Sequence, residues 1–164
     1  MQEIKITMSA YFGFVPGIRT GIGRIAVNFG FNDKEVYEIE TVIDEICNNA
    51  IEHGSKGKDN TVNLECKFDT RFIEITVKDS GSPQFKVEEI LKEGQRLMEE
   101  EAQKPILDTI RRKRGLMIVK KYVDKMDIQT DSDGTVVSMV KKSREGALDP
   151  TIPNWLKFYC HFPR

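Results

Sequence analysis

An apolar stripe along residues 33–54 constrains the fold more than any other feature of this chain. Its members recur at intervals of three and four residues, as they do on one face of an α-helix. Asn32 or Asp33 can cap the start of this helix, and His53-Gly54 precedes the polar turn expected to end it. The stripe consists of Val36, Ile39, Val42, Ile43, Ile46, Cys47, Ala50 and Ile51. The pattern therefore predicts a long helix with one continuous buried face.

Patterns typical of strands and further helices lie on both sides of this segment. Residues 4–8 alternate apolar and polar side chains, as in a half-buried strand. Pro16 opens a helical pattern that reaches about Phe29, and Gly30 then follows, as expected at a helix end. The dipeptide Asp133-Gly134 predicts a hairpin between the last two strands. Further strands are predicted at 61–68, 72–79, 125–131 and 135–141, and further helices at 87–103, which is rich in charge, and at 115–123.

Composition and charge argue against several classes of protein. The 164 residues suffice for one domain with its own core and a short extension. A formal net charge of -1 provides no basic field for nucleic acid. No apolar run is long enough to cross a bilayer, and the first residues lack the pattern of a signal peptide. We therefore expect a cytoplasmic protein that contacts neither membranes nor nucleic acid directly.

The three cysteines, Cys47, Cys66 and Cys160, are far apart and form no CxxC pair. This spacing argues against a disulfide framework and against a zinc site. Cys47 and Cys66 lie in apolar patterns and are expected to be small buried hydrophobic residues. Cys160 is adjacent to His161, but the two residues lack the further ligands that a metal site needs.

Polar residues on the long helix form the first candidate site. Glu45, Asn49 and His53 are four residues apart and therefore stack along one helical face. The neutral amide oxygen of Asn49 suits a hard cation such as Mg²⁺, and the carboxylate of Glu45 would be a base close to that cation. The same residues also fit the ordinary polar side of an amphipathic helix.

Other segments carry further candidate residues. Asp79, at the end of a predicted strand, could accept a hydrogen bond from an exocyclic amine such as that of adenine, and Gly81 would let a flat ring approach the backbone. Residues 111–114 are consecutive cations that lead through Gly115 into an apolar helix, an arrangement suited to polyphosphate. Each segment also has an ordinary interpretation: a strand-ending turn, a basic surface loop and, at residues 133–135, a hairpin.

The order and spacing of these segments resemble the sequence boxes of the GHKL ATPase superfamily, which includes gyrase, heat-shock chaperones, histidine kinases and mismatch-repair ATPases. Within it, the chain is most similar to the anti-sigma factors that are serine/threonine protein kinases. That family has a Glu four residues before an Asn and then His-Gly, which Glu45, Asn49 and His53-Gly54 match. The resemblance covers roughly residues 4–142. It implies an α/β (α+β) two-layer sandwich, the histidine-kinase-like ATPase (Bergerat) fold, with a mixed, mostly antiparallel sheet covered by helices on one face.

The resemblance also implies a role for each matching residue. Asn49 would hold Mg²⁺ against the phosphates of ATP, and Glu45 would be the general base toward an attacking hydroxyl. Asp79 would read adenine, assisted by Thr135. The remaining matches are Gly81, which would admit the adenine ring, Arg111, which would lie near the terminal phosphate, and His53, Lys113, Gly115 and Leu116, which occupy nucleotide-binding positions.

Two departures from the family pattern bear on activity. Lys113 stands where the first glycine of Gly-x-Gly is expected, and its Cβ restricts the backbone there. The expected ATP lid, at about 82–114, is long and contains the predicted helix 87–103. These departures leave open a non-catalytic module that acts by sequestration, with or without nucleotide, beside an active kinase. A detached histidine-kinase domain is disfavoured, because neither His53 nor His161 lies in a long dimerisation segment. An α/β domain unrelated to ATPases is the remaining alternative.

The resemblance further implies partners. The chain would phosphorylate a serine or threonine of an anti-anti-sigma (STAS-type) protein, sequester a sigma factor and form a homodimer. The predicted helix 16–30, with Arg19 and Arg24, is a docking face by the same analogy or else an ordinary solvated face. Residues 1–142 are expected to form the ATPase domain. Residues 143–164 would be an extension that packs on the domain or binds a partner.

Overall fold

The computed structural model describes residues 1–54, 61–80, 115–131 and 134–144. Every strand and helix predicted within this part of the chain is present. The predicted helix 87–103, the expected lid at about 82–114 and the residues of the extension after Arg144 lie outside the described residues.

A five-stranded sheet forms one layer of the domain. All pairings between the described strands are antiparallel, so the expectation of a mixed sheet is wrong for this part of the chain. The pairing of Asp131 with Gly134 confirms the predicted hairpin between the last two strands. The strands are β1 (Gln2–Ser9), β2 (Thr61–Phe68), β3 (Phe72–Asp79), β4 (Lys125–Asp131) and β5 (Gly134–Lys142), in the order β1-β2-β3-β5-β4 across the sheet.

The two faces of the sheet differ in polarity because successive side chains of a strand point to opposite sides. On β3, Ile73 and Val77 are buried on the covered face, and Asp79 continues the same buried row to the end of the strand. The other face carries surface ion pairs, such as the one between Lys67 and Glu65 at 2.8 Å. The alternation therefore places Asp79 at the margin of the covered face.

Helices form the second layer, and their bounds are α1 (Val15–Asn28), α2 (Asp33–Gly54) and α3 (Gly115–Tyr122). The central helix α2 packs on β2, β3 and β5 and contacts both other helices. At Gly23, α1 approaches α2 so closely that an added Cβ would overlap the side chain of Glu40. Gly30, with φ of 92°, follows α1 as predicted. Among the described residues, no helix has both the length and the apolar character that crossing a bilayer requires.

Reciprocal hydrogen bonds fix the start of α2. The Asn32 side chain accepts the backbone N–H of Glu35 at 3.0 Å, and the Glu35 carboxylate accepts the backbone N–H of Asn32 at 3.0 Å. This arrangement is a capping box and identifies Asn32, rather than Asp33, as the cap. The second oxygen of Glu35 accepts the backbone N–H of Arg144 at 2.6 Å. Glu35 therefore joins the first turn of α2 to the chain just beyond β5.

The apolar stripe predicted on α2 forms the centre of the core. All its residues except Val36 are buried, and Val36 is partly buried against the same cluster. Cys47 and Cys66 are both 0% exposed, as predicted. Burial raises the pKa of each thiol to about 12, so both remain protonated at neutral pH.

Candidate functional site

Glu45 and Asn49, one turn apart on α2, both lie against the first residue of α3. An ideal Cβ placed on Gly115 would be 2.5 Å from Oε2 of Glu45 and 3.4 Å from Nδ2 of Asn49. Both side chains are half-buried at this contact, and Gly115 is buried. The fold thus brings Gly115 beside Glu45 and Asn49, which lie far earlier in the sequence.

The N-terminal end of α3 lies at this cluster. The first N–H groups of a helix have no partner within the helix and carry its partial positive charge. Leu116, the second residue of α3, is 9% exposed and packs in the core together with Val119. These contacts seat the start of α3 beside Glu45, so the arrangement suits an anion that approaches this end of the helix.

The environment of Glu45 favours its protonated form. Burial raises the pKa of Glu45, and the neighbouring negative charge of Asp44 raises it further. Asp44 is itself bound by α1, because Nη1 of Arg19 lies 3.0 Å from Oδ1 of Asp44. The amide of Asn48 donates to the other carboxylate oxygen of Asp44 at 3.3 Å. A carboxyl group with a raised pKa is a stronger base than an ordinary glutamate once it is ionised.

A second cluster joins the end of β3 to the start of β5. Asp79 is 7% exposed, and its Oδ1 accepts the backbone N–H of Thr135 at 3.3 Å. Gly134 has φ of 133°, and an added Cβ there would overlap the backbone carbonyl of Asp79 and lie 3.1 Å from Cα of Ser80. The buried carboxylate is therefore held in place by a strand end that only glycine can form.

Four of the predicted site residues lie wholly or partly outside the described residues. Gly81, Arg111 and Lys113 lie outside the described residues. His53 lies in the last turn of α2, and its side chain is also outside the described part. Their roles stay predictions.

The cluster at Gly115 fits a hard cation held with few protein ligands. Asn49 carries an amide oxygen and Glu45 carries a carboxylate, and the two side chains lie together against Gly115. Within the described ranges, no group of three or more His, Cys, Asp or Glu side chains is placed to hold a metal ion. Mg²⁺ commonly takes most of its ligands from water and phosphate oxygens, so this sparse donor set is compatible with it.

The sequence analysis did not predict the contact of Gly134 with Asp79 or the burial of Lys141. Gly134 was predicted to lie in a hairpin, and it also packs on the backbone of Asp79. Lys141 is buried beside Glu38, although both residue types usually lie at the surface. The alternation Val137, Met139, Lys141 on β5 was the available signal, because it assigns Lys141 to the covered face.

A model of the histidine kinase-like ATPase domain family matches residues 11–141 of the chain. The chain belongs to this family. Membership in the histidine kinase-like ATPase family implies that the chain binds ATP, and it excludes the alternative of an α/β domain unrelated to ATPases.

Curated relatives of the chain carry names of bacterial regulators. Serine-protein kinase RsbW of Halalkalibacterium halodurans is 26% identical over 148 residues, which cover 90% of this chain and 88% of the relative. The anti-sigma F factor of the same organism is 26% identical over 146 residues, covering 85% of this chain and 92% of the relative. These matches confirm the resemblance to anti-sigma factor kinases within the histidine kinase-like ATPases.

A solved structure supports the fold. The crystal structure of the RsbU and RsbW domains of a Mycobacterium tuberculosis protein matches with a TM-score of 0.62 at 15% identity. The match covers 91% of this chain and 35% of that larger chain. The expected histidine-kinase-like fold is therefore confirmed, with helices on one face of the sheet.

Proposed function

We propose that this chain is an ATP-dependent serine/threonine protein kinase that regulates a sigma factor. Its substrate would be a hydroxyl side chain of an anti-anti-sigma (STAS-type) protein, and it would sequester the sigma factor in the cytoplasm. The observation that carries the proposal is the contact of Glu45 and Asn49 with Gly115 at the start of α3. The names serine-protein kinase and anti-sigma F factor among the relatives support the same choice.

Glu45 is proposed as the general base. Its raised pKa, caused first by burial and then by Asp44, suits a group that must take a proton from a serine or threonine hydroxyl. Asn49 is proposed to hold Mg²⁺, which would offset the negative charge of the transferring phosphoryl group. Because Glu45 and Asn49 are one helical turn apart, the base and the phosphates would be held side by side.

Asp79 is proposed to recognise the exocyclic amine of adenine. The bond from the Thr135 backbone orients the carboxylate, and a carboxylate can accept several hydrogen bonds at once. Gly134 keeps this strand end close to Asp79. His53 and Gly81 would complete the nucleotide pocket, as the family resemblance implies.

The start of α3 is proposed to face the phosphates. Gly115 and Leu116 would present backbone N–H groups there, while their packing keeps the helix in place. Arg111 and Lys113 would add positive charge close to the terminal phosphates. Phosphoryl transfer depends mainly on positioning and electrostatics, so this small set of groups is sufficient.

The first test compares wild type with Glu45→Gln in Mg-ATP titration and in phosphotransfer to anti-anti-sigma proteins. We expect Glu45→Gln to bind Mg-ATP with nearly wild-type affinity and to lose about 10²–10⁴-fold in the transfer rate, the usual contribution of a positioned base. Glu74→Gln is the matched control, because Glu74 is a half-buried carboxylate on β3 outside the proposed site. Wild-type transfer by Glu45→Gln would show that another group is the base.

The same measurements distinguish the second function that the sequence leaves open. Lys113 replaces the expected glycine of the phosphate-binding segment, which favours a nucleotide-dependent binding module without transfer. Tight Mg-ATP binding by wild type, partner binding and no phosphorylated product would support sequestration alone. Phosphorylated partner would support the kinase, and gel filtration of the complex would report whether the chain is a homodimer.

A further inference from the structure

We propose that Lys141 and Glu38 are positioning residues that hold α3 against α2, and so set the placement of Gly115 beside Glu45. The inference rests on the proposed function of the Glu45 cluster. It concerns an ion pair outside that cluster, at the opposite end of α3.

The ion pair is buried between α2 and the covered face of the sheet. The side chains of Lys141 and Glu38 are only 4% and 7% exposed, and Nζ of Lys141 contacts the Glu38 carboxylate directly. Lys141 lies on the covered face of β5, where it is paired in register with Ile73 of β3. Since a buried charge is stable only when it is paired and hydrogen-bonded, each partner restricts the position of the other.

The same ammonium group binds the end of α3. Nζ of Lys141 donates to the backbone carbonyl of Tyr122, the last residue of α3, at 2.8 Å. The last carbonyls of a helix lack intrahelical partners and carry partial negative charge, so a cation at this position is favourable. Lys141 therefore connects the C-terminal end of α3 to α2 through Glu38.

The chain just after α3 is held at the same place. Asp124 donates its backbone N–H to the carbonyl of Val140 at 2.8 Å, and its carboxylate accepts the backbone N–H of Lys142 at 2.8 Å. These bonds lie on either side of Lys141 along β5. The end of α3 is consequently fixed to both the sheet and α2.

Two contacts of equal spacing join α3 to α2. Glu38 and Glu45 are seven residues apart on α2, and Gly115 and Tyr122 are seven residues apart on α3. Glu38 is linked to Tyr122 through Lys141, while Glu45 contacts Gly115. The earlier residue of α2 pairs with the later residue of α3, so the two helices run antiparallel and meet at both ends of α3. The two contacts are about 10 Å apart, the length of seven residues of α-helix. A shift at the Lys141 end is thereby transmitted along two rigid turns to Gly115.

An ion pair suits this task better than an apolar contact does. A buried ion pair adds little net stability compared with well-packed apolar residues, so the role proposed for this pair is to define the relative position of the two helices. An apolar pair in its place would lack the directional contacts that Lys141 makes with Glu38 and with the carbonyl of Tyr122. Misplacement by about 1 Å can reduce the rate of a positioned reaction about 10²-fold.

The test uses the double variant Glu38→Leu/Lys141→Met, which removes both charges together and leaves no unpaired buried ion. We expect its urea-unfolding midpoint to equal or exceed that of wild type, while kcat for phosphotransfer falls at least about tenfold. The amide resonance of Gly115 in a ¹H–¹⁵N spectrum should shift as well. Lys141→Arg, which retains a cation for Tyr122 and Glu38, should keep kcat within about threefold.

Glu35→Gln is the matched control, because Glu35 is a second buried carboxylate of α2 that bonds to Asn32 and Arg144 rather than to α3. It should lower the unfolding midpoint and leave both kcat and the Gly115 resonance unchanged. Wild-type kcat and an unchanged Gly115 resonance in the folded double variant would overturn the proposal. If the double variant does not fold, Glu38→Gln takes its place with the same two readouts and the same deciding outcomes. Should wild type itself transfer no phosphate, the proposed function fails, and the Gly115 resonance still decides whether the ion pair positions α3.

Discussion

Gly115 leaves no room for a side chain beside Glu45. A Cβ on Gly115 would lie 2.5 Å from Oε2 of Glu45, well inside van der Waals contact. The close approach joins the start of one helix to a carboxylate on another, so the need for glycine here comes from packing between helices rather than from an unusual backbone angle.

Gly115→Ala is expected to reduce phosphotransfer without destabilising the domain. Gly115 is the first residue of α3, so the helix-interior preference of about 1 kcal/mol for alanine over glycine is an upper bound here. The clash involves the far end of the Glu45 side chain, which can move aside. Phosphotransfer should fall at least about tenfold because the base is displaced, and urea unfolding should change by less than about 1 kcal/mol. Gly21→Ala on α1 is the control, since its Cβ would meet nothing within 4 Å. Equal activity in both variants would contradict the proposed position of Glu45.

The pH dependence of phosphotransfer should report the raised pKa of Glu45. A general base acts only when it is ionised, so the acid limb of the rate profile should lie above the ordinary glutamate value of 4.5. Asp44→Asn removes the second cause of the shift and should move the limb to lower pH. The Arg24→Ala variant, which changes an exposed cation on α1, should leave the limb in place.

The same group should make stability depend on pH in a predictable direction. Because the pKa of Glu45 is raised in the folded state, its contribution to stability is fully present below the unfolded value of 4.5 and is lost as pH rises through the folded pKa. Glu45→Gln should therefore be more stable than wild type at pH 7, and this difference should vanish below about pH 4. Denaturant unfolding at several pH values measures it, and a constant difference would contradict the assigned direction.

Asp79→Asn is expected to weaken ATP binding while it preserves the fold. Asparagine retains an oxygen that accepts the Thr135 backbone N–H. Its NH₂ group replaces the other carboxylate oxygen, and this group cannot accept a hydrogen bond from the amine of adenine. A hydrogen bond to a charged group contributes about 1.5–3 kcal/mol, so affinity should fall roughly 10- to 100-fold in calorimetric titration. Asp127→Asn, an exposed change on β4, serves as the control.

Gly134→Ala is expected to destabilise the domain by at least about 2 kcal/mol. Its φ of 133° is unfavourable for any residue with a Cβ, and that Cβ would overlap the carbonyl of Asp79. Chemical denaturation checks this value, with Gly17→Ala as the control, because the surroundings of Gly17 are open. A change of similar size in both variants would contradict the close packing at Asp79.

Cys47 and Cys66 should be unreactive toward thiol reagents in the folded protein. Both side chains are fully buried, and burial raises the pKa of each thiol to about 12, so almost no thiolate forms at pH 8. In a Cys160→Ser background, labelling should appear only at the denaturant concentration that unfolds the chain. Rapid labelling before unfolding would show that the α2 core opens locally.

Local sequence patterns predicted the described helices and strands. They did not predict the strand order or the buried charges, because both depend on tertiary contacts. The 3.6-residue period predicted α2, and the alternation of apolar and polar residues predicted strands. Both patterns arise because one face of each element is buried. The placement of β5 between β3 and β4 required a pairing across distant sequence, which no local pattern contains. Buried charges were missed for a related reason: Glu38 and Lys141 look like surface residues until their mutual contact is known.

The candidate site divides in the same way. The four-residue spacing of Glu45 and Asn49 predicts that they share a helical face, and the structure agrees. Their proximity to Gly115 depends on how α3 packs, and the contact between Arg19 and Asp44 depends on how α1 packs. Sequence patterns indicated which residues were candidates for the site. Only the family resemblance indicated that Gly115 lies close to Glu45 and Asn49.

The carboxylate of Glu35 also has a mechanical consequence. It caps the first turn of α2 and holds the backbone of Arg144 at 2.6 Å, while Ser143 bonds to the carbonyl of Arg71 at 2.9 Å. A pulling force applied beyond Arg144 would reach the central helix and the β2–β3 turn before it could peel β5 from the sheet. In an optical-tweezers experiment that pulls from the C-terminal side, the Glu35→Gln domain should therefore yield at a lower force than wild type.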